Sequence, residues 1–292
     1  MSVSGISYAT VAQINDQASN EATGTANLAR IYEFGVAASQ VIDNLLKITF
    51  VPLIATRYYS LFGSQVGAWT IDLDMPMMSL TSVTLPDSTA LTVNTDIRGW
   101  PRTGGPILEL RSLSSAVTLR TSSGTLDNDV TVTGVWGWHN DYTNAWVSSG
   151  DAVLTTDLTT SITTVKVTDA DGVGGDGISP RFSPGNMIQI ENEWMAITAT
   201  DSASATNTLT VVRGVRGSTA ATHVATTAIS VFKPEAAIVR ACQVIANFNY
   251  SRRGQTDRIT FDTSRTTGLN MDIPPEAMDI LDSYQFLQIG SA

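Results

Sequence analysis

The sequence predicts an α+β protein, with a discontinuous helical core that carries short strands and an inserted all-β module, a barrel or a sandwich. Two observations predict this fold class. Apolar residues recur at helical spacing near both ends of the 292-residue chain. The region between those ends is dense in Thr, Ser and Val and shows the alternation of β-strands. The predicted core comprises 1–148 and 233–292, and the predicted module comprises 149–232.

Two helices are predicted in the N-terminal part of the core. Thr10 and Gln13 have the spacing of a capping box in front of a helix over about 10–19. A longer helix over about 21–49 carries small and apolar residues three and four positions apart on one face, and Pro52 ends it. That face comprises Leu28, Ile31, Gly35, Ala38, Ile42 and Leu45.

The rest of the first core segment reads as short strands. Val130 and Val132 alternate with threonines, which is typical of a half-buried strand. Polar and glycine-rich clusters supply turns between the segments. The candidate strands are Ala55–Leu61, Trp69–Leu73, Leu80–Leu85, Ile107–Arg111, Ala116–Arg120 and Asp129–Val135.

The predicted module has a different texture, because helical periodicity is almost absent from it. Gly and Asn turns separate its candidate strands, and a run of this length can form a small barrel or sandwich. These strands are Ile162–Thr168, Met187–Glu191, Trp194–Thr198, Thr208–Arg213 and Thr227–Phe232.

Two further helices, over about 234–253 and 274–283, are predicted after the module because each begins at a proline, which is tolerated in a first turn. The first of them has an apolar face that includes Ile245 and Phe248. This face needs a partner, and the other long amphipathic helix, 21–49, is the candidate. Helix packing or a subunit interface is therefore expected at Leu28, Gly35, Ala38, Ile42, Ile245 and Phe248.

Composition excludes several classes of site. The chain has 17 Lys and Arg against 27 Asp and Glu, a net charge of −10, which disfavours a broad nucleic-acid-coating surface. Cys242 is the single cysteine, so an internal disulfide and a Cys-cluster zinc site are impossible. His139 and His223 are too few for a three-His metal site. We expect no membrane association, because no apolar stretch reaches the roughly 20 residues of a membrane helix.

Several motifs resemble ligand-binding or catalytic sites, but the residues around them do not fit those sites. Gly172, Gly174 and Gly177 match a GxGxxG pattern, but two prolines follow, so no helix can begin there to hold a pyrophosphate and a flexible loop is expected. The aspartates around this pattern lack the final Glu of a calcium loop. Glu191 and Glu193 alone do not indicate a glycosidase. We therefore predict no enzyme activity, no catalytic residue, no cofactor and no metal.

Several segments carry a resemblance to a known family. AASQVIDNLLKITFVP (Ala37–Pro52), followed by Thr56–Tyr59 and IDLDMPMMSLTSVTLPDSTAL (Ile71–Leu91), resembles the opening of tailed-bacteriophage head-to-tail connector proteins, also called adaptor or head completion proteins. VTVTGVWGWHNDY (Val130–Tyr142) resembles them as well, and IVRACQVIANFNYSRRG (Ile238–Gly254) supplies the long helix to which this turn leads in such proteins. The inserted module, with MIQIENEWMAIT (Met187–Thr198) and TLTVVRGVRGST (Thr208–Thr219), resembles β-modules of phage structural proteins.

The resemblance implies a structural protein of the virion neck, assembled in the host cytoplasm. Such connectors form a homo-oligomeric, usually dodecameric, ring between the portal and the tail, terminator or stopper, and DNA passes through without specific binding. The C-terminal segment is implied to bind the portal, through Tyr284, Phe286, Leu287 and Ile289. The alternative is a phage receptor-binding, glycan-binding or decoration protein that uses the β-module. Trp100, Trp136, Trp138 and Trp146 could form a sugar platform, but buried sheet-edge aromatics are the more common explanation.

Overall fold

The structure is a computed structural model, and the part of the chain that it describes forms two compact units. The described residues are 5–17, 25–60, 69–102, 104–114, 119, 129–154, 158–202, 207–252 and 273–284. The sheet unit contains Lys47–Ala145 and Arg216–Ser218. The helix–sheet unit contains the chain up to Leu46, Trp146–Val215 and the segment from Thr219 onward to Tyr284.

The predicted fold class is wrong. The described residues are mostly β, with two six-stranded antiparallel sheets and 26% helix, and among them neither sheet closes into a barrel. The strands of the first core segment pair with one another into a sheet with its own apolar core, so they do not decorate a helical one. The four helices of the described residues belong to the same unit as the second sheet. The insertion of 149–232 into a discontinuous core stays a prediction.

The sheet unit is built on the first sheet, with strand order β1-β6-β2-β5-β4 and β3 paired to β2. Trp136 and Met77 are fully buried in its core. The two strands predicted over 69–85 are one long strand, whose register against β5 shifts around Pro76. Proline cannot donate to a sheet and is tolerated at such an irregularity, so the strand continues past it. The strands are β1 (Leu53–Ser60), β2 (Thr70–Thr84), β3 (Ala90–Leu91), β4 (Ile97–Trp100), β5 (Ile107–Ser112) and β6 (Asp129–Trp136).

The helix–sheet unit carries the second sheet, with strand order β7-β12-β9-β10-β11-β8. Its core is aliphatic, with Ile188, Met195 and Leu209 fully buried. Strand β7 was not predicted, because Ser, Gly and Asp interrupt its apolar alternation. The strands are β7 (Trp146–Ala152), β8 (Thr164–Lys166), β9 (Met187–Ile190), β10 (Glu193–Asp201), β11 (Thr208–Val212) and β12 (Ala228–Phe232).

Four helices complete this unit: α1 (Val11–Gln17), α2 (Thr25–Leu46), α3 (Ala236–Arg252) and α4 (Pro275–Asp282). The capping box at α1 is present, since the Thr10 amide donates to Gln13 Oε1 at 2.9 Å and the Gln13 amide donates to Thr10 Oγ1 at 3.2 Å. Helix α2 ends several residues before Pro52, at Leu46, because Lys47 takes a left-handed φ of 57°.

Candidate functional site

The most elaborate polar arrangement in the second sheet is the Glu193 cluster, formed by Glu193, Arg213 and His223. A two-residue turn with a left-handed Glu191 joins β9 to β10 and places Glu193 at the first position of β10. Arg213 follows the last residue of β11. His223 lies in the loop before β12, where its backbone pairs with Leu158. The side chains of Glu193 and His223 are fully buried, and that of Arg213 is 6% exposed.

The carboxylate of Glu193 is saturated with donors. Arg213 donates from Nε to Oε1 and from Nη2 to Oε2, both at 2.6 Å, in a bidentate pair. The backbone amides of Gly214 and Ala221 donate to the same two oxygens at 3.1 and 2.8 Å. His223 Nε2 lies 2.9 Å from Oε2. Burial alone would raise the pKa of Glu193, but these hydrogen bonds outweigh it and lower the pKa below its ordinary value.

Arg213 also closes the surrounding loops. Its Nη1 donates to the carbonyl oxygens of Thr159 and Ile162 at 2.8 Å, and its Nη2 donates to that of Ala221 at 2.6 Å. A guanidinium spread over this many fixed acceptors cannot reach a ligand without breaking them. The Glu193 cluster is therefore built to hold loops in place.

A second buried carboxylate organises the glycine-rich loop that was predicted to be flexible. Asp151 accepts hydrogen bonds from the amides of Ala152, Thr168 and Asp169, at 2.7, 3.2 and 2.9 Å. Arg181 Nη1 donates to Asp151 Oδ2 at 3.0 Å. Burial raises the pKa of Asp151, and the backbone hydrogen bonds more than compensate, so the net pKa is lowered.

The loop itself is tied by its own backbone. The amide of Gly174 donates to the Ile178 carbonyl at 2.8 Å, and that of Gly172 donates to Asp169 Oδ1 at 2.9 Å. Asp176 pairs with Lys233 Nζ at 2.6 Å. Within the described part of the chain, no group of three or more His, Cys, Asp and Glu side chains could hold a metal ion. These bonds hold the backbone of the loop, and its flexibility stays a prediction.

The helix-face residues occupy three different environments. Ala38, Ile42 and Ile245 are buried, in the unit where α2 packs against α3. Leu28 is 38% exposed on α2, and Phe248 is half-buried beneath the guanidinium of Arg252.

The small residue Gly35 serves contacts within the chain. A Cβ at this position would come within 2.7 Å of Ser7 Oγ and 2.8 Å of Ile14 Cδ1. Its carbonyl accepts from Ser39 Oγ at 2.9 Å. The predicted packing surface at Gly35 is thus contacted by Ser7 of the N-terminal segment and by Ile14 of α1. The capping box locates α1 in the sequence, but nothing local shows that α1 packs here.

Cys242 lies on the buried side of α3. Its Sγ donates to the Gly35 carbonyl at 3.6 Å and lies 3.5 Å from Ser39 Oγ. Burial raises the pKa of this thiol, which keeps it neutral and unreactive. Cys242 is thus a small buried residue of the helix packing.

The predicted portal-binding residues are only partly described. Tyr284 closes α4, where its amide donates to the Leu281 carbonyl at 2.9 Å, and its side chain is half-buried. Phe286, Leu287 and Ile289 lie outside the described residues.

The tryptophans of the hypothetical sugar platform lie in different surroundings. Trp136 is fully buried, and its indole Nε1 donates to the Ala55 carbonyl at 2.8 Å. Trp146 packs against Trp194 and Phe232, with ring centroids 5.8 and 5.2 Å apart. A buried core indole cannot stack on a glycan, so the four do not form one platform.

Strand β1 forms one edge of the first sheet, and Gly217 lies against the Ile54 carbonyl near its start. Strand β6 pairs with one edge of β1, and no strand of the described residues pairs with the other. Tyr58 is 65% exposed on this strand, and Thr56 is exposed as well.

No protein-family model, curated protein or solved structure matches this chain. No helix in the described ranges is long and apolar enough to cross a bilayer.

Proposed function

We propose that this protein is a structural component of a tailed-phage neck, assembled in the host cytoplasm. In this proposal it forms a dodecameric ring between the portal and the tail or stopper and extends the DNA channel. The resemblance of several sequence segments supports the family. Those segments comprise the end of α2, part of β1, nearly all of β2, β3, most of β6 and nearly all of α3. This role does not require the helical core that the sequence led us to expect, since a β-rich protomer can also form a ring.

The observation that carries self-assembly is the edge of β1. Natural sheets protect their edges with short strands, inward-pointing charges or irregularities. Strands β4 and β8 are short edges of four and three residues. Edge strand β7 has a buried charge at Asp151 and a left-handed Gly150. Strand β1 has eight residues and an exposed aromatic side chain, which suits pairing with another chain.

The use of charge in the interior supports a structural role as well. The buried carboxylates Glu193 and Asp151 accept hydrogen bonds from arginines and backbone amides, so they hold loops. The net charge of −10 also suits a channel through which DNA slides, because fixed positive charge would bind phosphates.

Assembly is tested by native mass spectrometry and negative-stain microscopy of the purified protein, with and without its portal. We expect twelve-fold rings with the portal. Tyr58→Lys should reduce ring formation by about tenfold, because a charge at an open edge opposes strand pairing. Val224→Lys is the matched control, since Val224 is 61% exposed in the other unit. Monomers under all conditions, or equal loss in both variants, would overturn the proposal.

Portal contact is assigned in this proposal to the tail that follows α4. Deleting 285–292 should leave the melting temperature nearly unchanged and abolish binding to portal-containing, DNA-filled heads. Substituting Phe286, Leu287 and Ile289 by Ser in the full chain should have the same effect. If the truncated protein binds heads as strongly as the wild type does, the tail does not form the portal interface.

A further inference from the structure

A groove of about 520 Å³ opens on the sheet unit. One side is the loop after β4, which carries Arg102, Gly104 and Gly105, and the other is the turn after β6, which carries Asn140. The amide of Gly105 donates to the Asn140 carbonyl at 3.0 Å and joins the two sides. The positions that a Cβ would take on the two glycines have no described atom within 4 Å, so the loop leaves the groove open. Its volume is within the range of roughly 300–1,000 Å³ that is typical of ligand pockets.

Two arginines line this groove without a carboxylate partner among the described residues. Arg98 donates from Nε to Asn94 Oδ1 and from Nη2 to the Asn94 carbonyl, both at 3.3 Å, which fixes the guanidinium in the groove wall. Arg102 is exposed at the rim. By contrast, Arg57 and Arg111 of the same unit each pair with a carboxylate. A fixed guanidinium without an anion is prepared for bidentate binding of a carboxylate or a phosphate.

The remaining lining favours a carboxylate on a peptide over a phosphate on a nucleic acid. Met78, Leu80 and Ile107 contribute apolar surface to the groove. The exposed carboxylate of Asp141 lies at the same groove and would repel a polyphosphate, as would the net charge of −10. A peptide offers one acidic side chain for the arginines and neighbouring apolar side chains for the rest of the lining.

We propose that this groove binds an extended peptide segment of a partner protein, in which an acidic side chain is flanked by apolar ones. The acidic side chain pairs with Arg98 and Arg102, and the apolar neighbours contact Met78 and Ile107. The inference goes beyond the proposed function, because peptide binding by the isolated protein requires neither a ring nor a portal. The two proposals can therefore fail separately.

The test uses fluorescence anisotropy with the full-length protein and three fluorescein-labelled probes. Two are pentapeptide mixtures with Leu, Val or Met at the outer positions and either Glu or Gln at the centre. The third is a short single strand of polythymidylate. We expect the Glu mixture to bind and the Gln mixture to bind at least about tenfold more weakly, since the charge-assisted bond is lost. Equal binding of the two mixtures, no binding of either, or preferred binding of the oligonucleotide would overturn the proposal.

Variants assign the binding to the groove. Arg98→Ala combined with Arg102→Ala should weaken binding of the Glu mixture by about tenfold or more. Lys47→Ala removes an exposed positive charge elsewhere in the same unit and should change the affinity less than about twofold. Asp141→Asn should tighten binding by about two- to fivefold, a gain that misfolding cannot produce. Unchanged affinity in the double arginine variant would place the peptide elsewhere and overturn the assignment.

Discussion

The two sheets place their arginine–carboxylate pairs at different depths. In the second sheet, Glu193 and Asp151 have side chains 0% and 2% exposed, and their arginine partners are nearly as buried. In the first sheet, Arg57 and Asp74 are 29% and 40% exposed.

The buried carboxylates of the second sheet are bonded to its connections. Asp151 accepts from the amides of Thr168 and Asp169 in the connection before β9. Glu193 accepts from the amides of Gly214 and Ala221 in the connection before β12. Each carboxylate thus supplies acceptors that buried amides need. Buried charge in the second sheet therefore marks where loops are organised.

The largest expected effect is from Arg213→Met. It leaves the buried Glu193 carboxylate without its main partner, which typically costs about 3–5 kcal/mol in the free energy of unfolding. The matched change in the first sheet, Arg111→Met, removes a partly exposed pair with Glu109 and should cost much less, because solvent screens that pair. Urea unfolding followed by circular dichroism measures both. Similar losses in the free energy of unfolding of the two variants would show that the depth of an arginine–carboxylate pair does not set its contribution.

Asp151→Asn should have the next largest effect. The amide nitrogen cannot accept from the backbone donors or from Arg181, so we expect a loss of about 1–3 kcal/mol. Thermal unfolding should show it as a lower melting temperature, together with faster proteolysis of the loop around Gly174. Asp74→Asn is the control, because its carboxylate is 40% exposed. If proteolysis of the loop around Gly174 is unchanged in the Asp151 variant, the loop's own backbone hydrogen bonds are enough to hold it.

Acid should destabilise the second sheet through both carboxylates. The folded-state pKa values of Glu193 and Asp151 are lowered, so their contribution to stability is fully present above the ordinary pKa values of about 4. It is lost as the pH falls from there through the lowered values. Unfolding free energies measured between pH 7 and pH 3 should fall steeply below pH 4.5 in the wild type. This pH dependence should become flatter in the double variant Glu193→Gln and Asp151→Asn. An unchanged slope would mean that other groups cause the pH dependence.

The smallest effect is expected for Glu191→Gln. Glu191 Oε2 lies 2.7 Å from His223 Nδ1, but its side chain is 56% exposed. Solvent screens this contact, so the free energy of unfolding should fall by less than about 1 kcal/mol. Glu193→Gln, on the other side of the same imidazole, should cost several times more. Equal losses in the free energy of unfolding would mean that burial of the carboxylate does not set the strength of these contacts.

Local patterns were enough for individual elements but not for the architecture. The capping box at Thr10 and the alternation over 130–133 lie within one element each, and the corresponding helix and strand are present. The core was predicted as helical because periodic helices give strong signals. A long strand with a proline within it, such as β2, looks like two short strands.

Local patterns in the chain are enough to place the helices and most strands approximately. One cysteine and two histidines also exclude an internal disulfide and a three-His metal site. The tertiary structure alone brings Glu193, Arg213 and His223 into one buried site. Their side chains meet through the β10–β11 register and the loop that returns to Leu158. It also decided that Arg98 and Arg102 line one groove, because that depends on how β4, β5 and the turn after β6 come together. Local propensity depends on neighbours in the chain, whereas burial and pairing of charge depend on contacts between residues far apart in sequence.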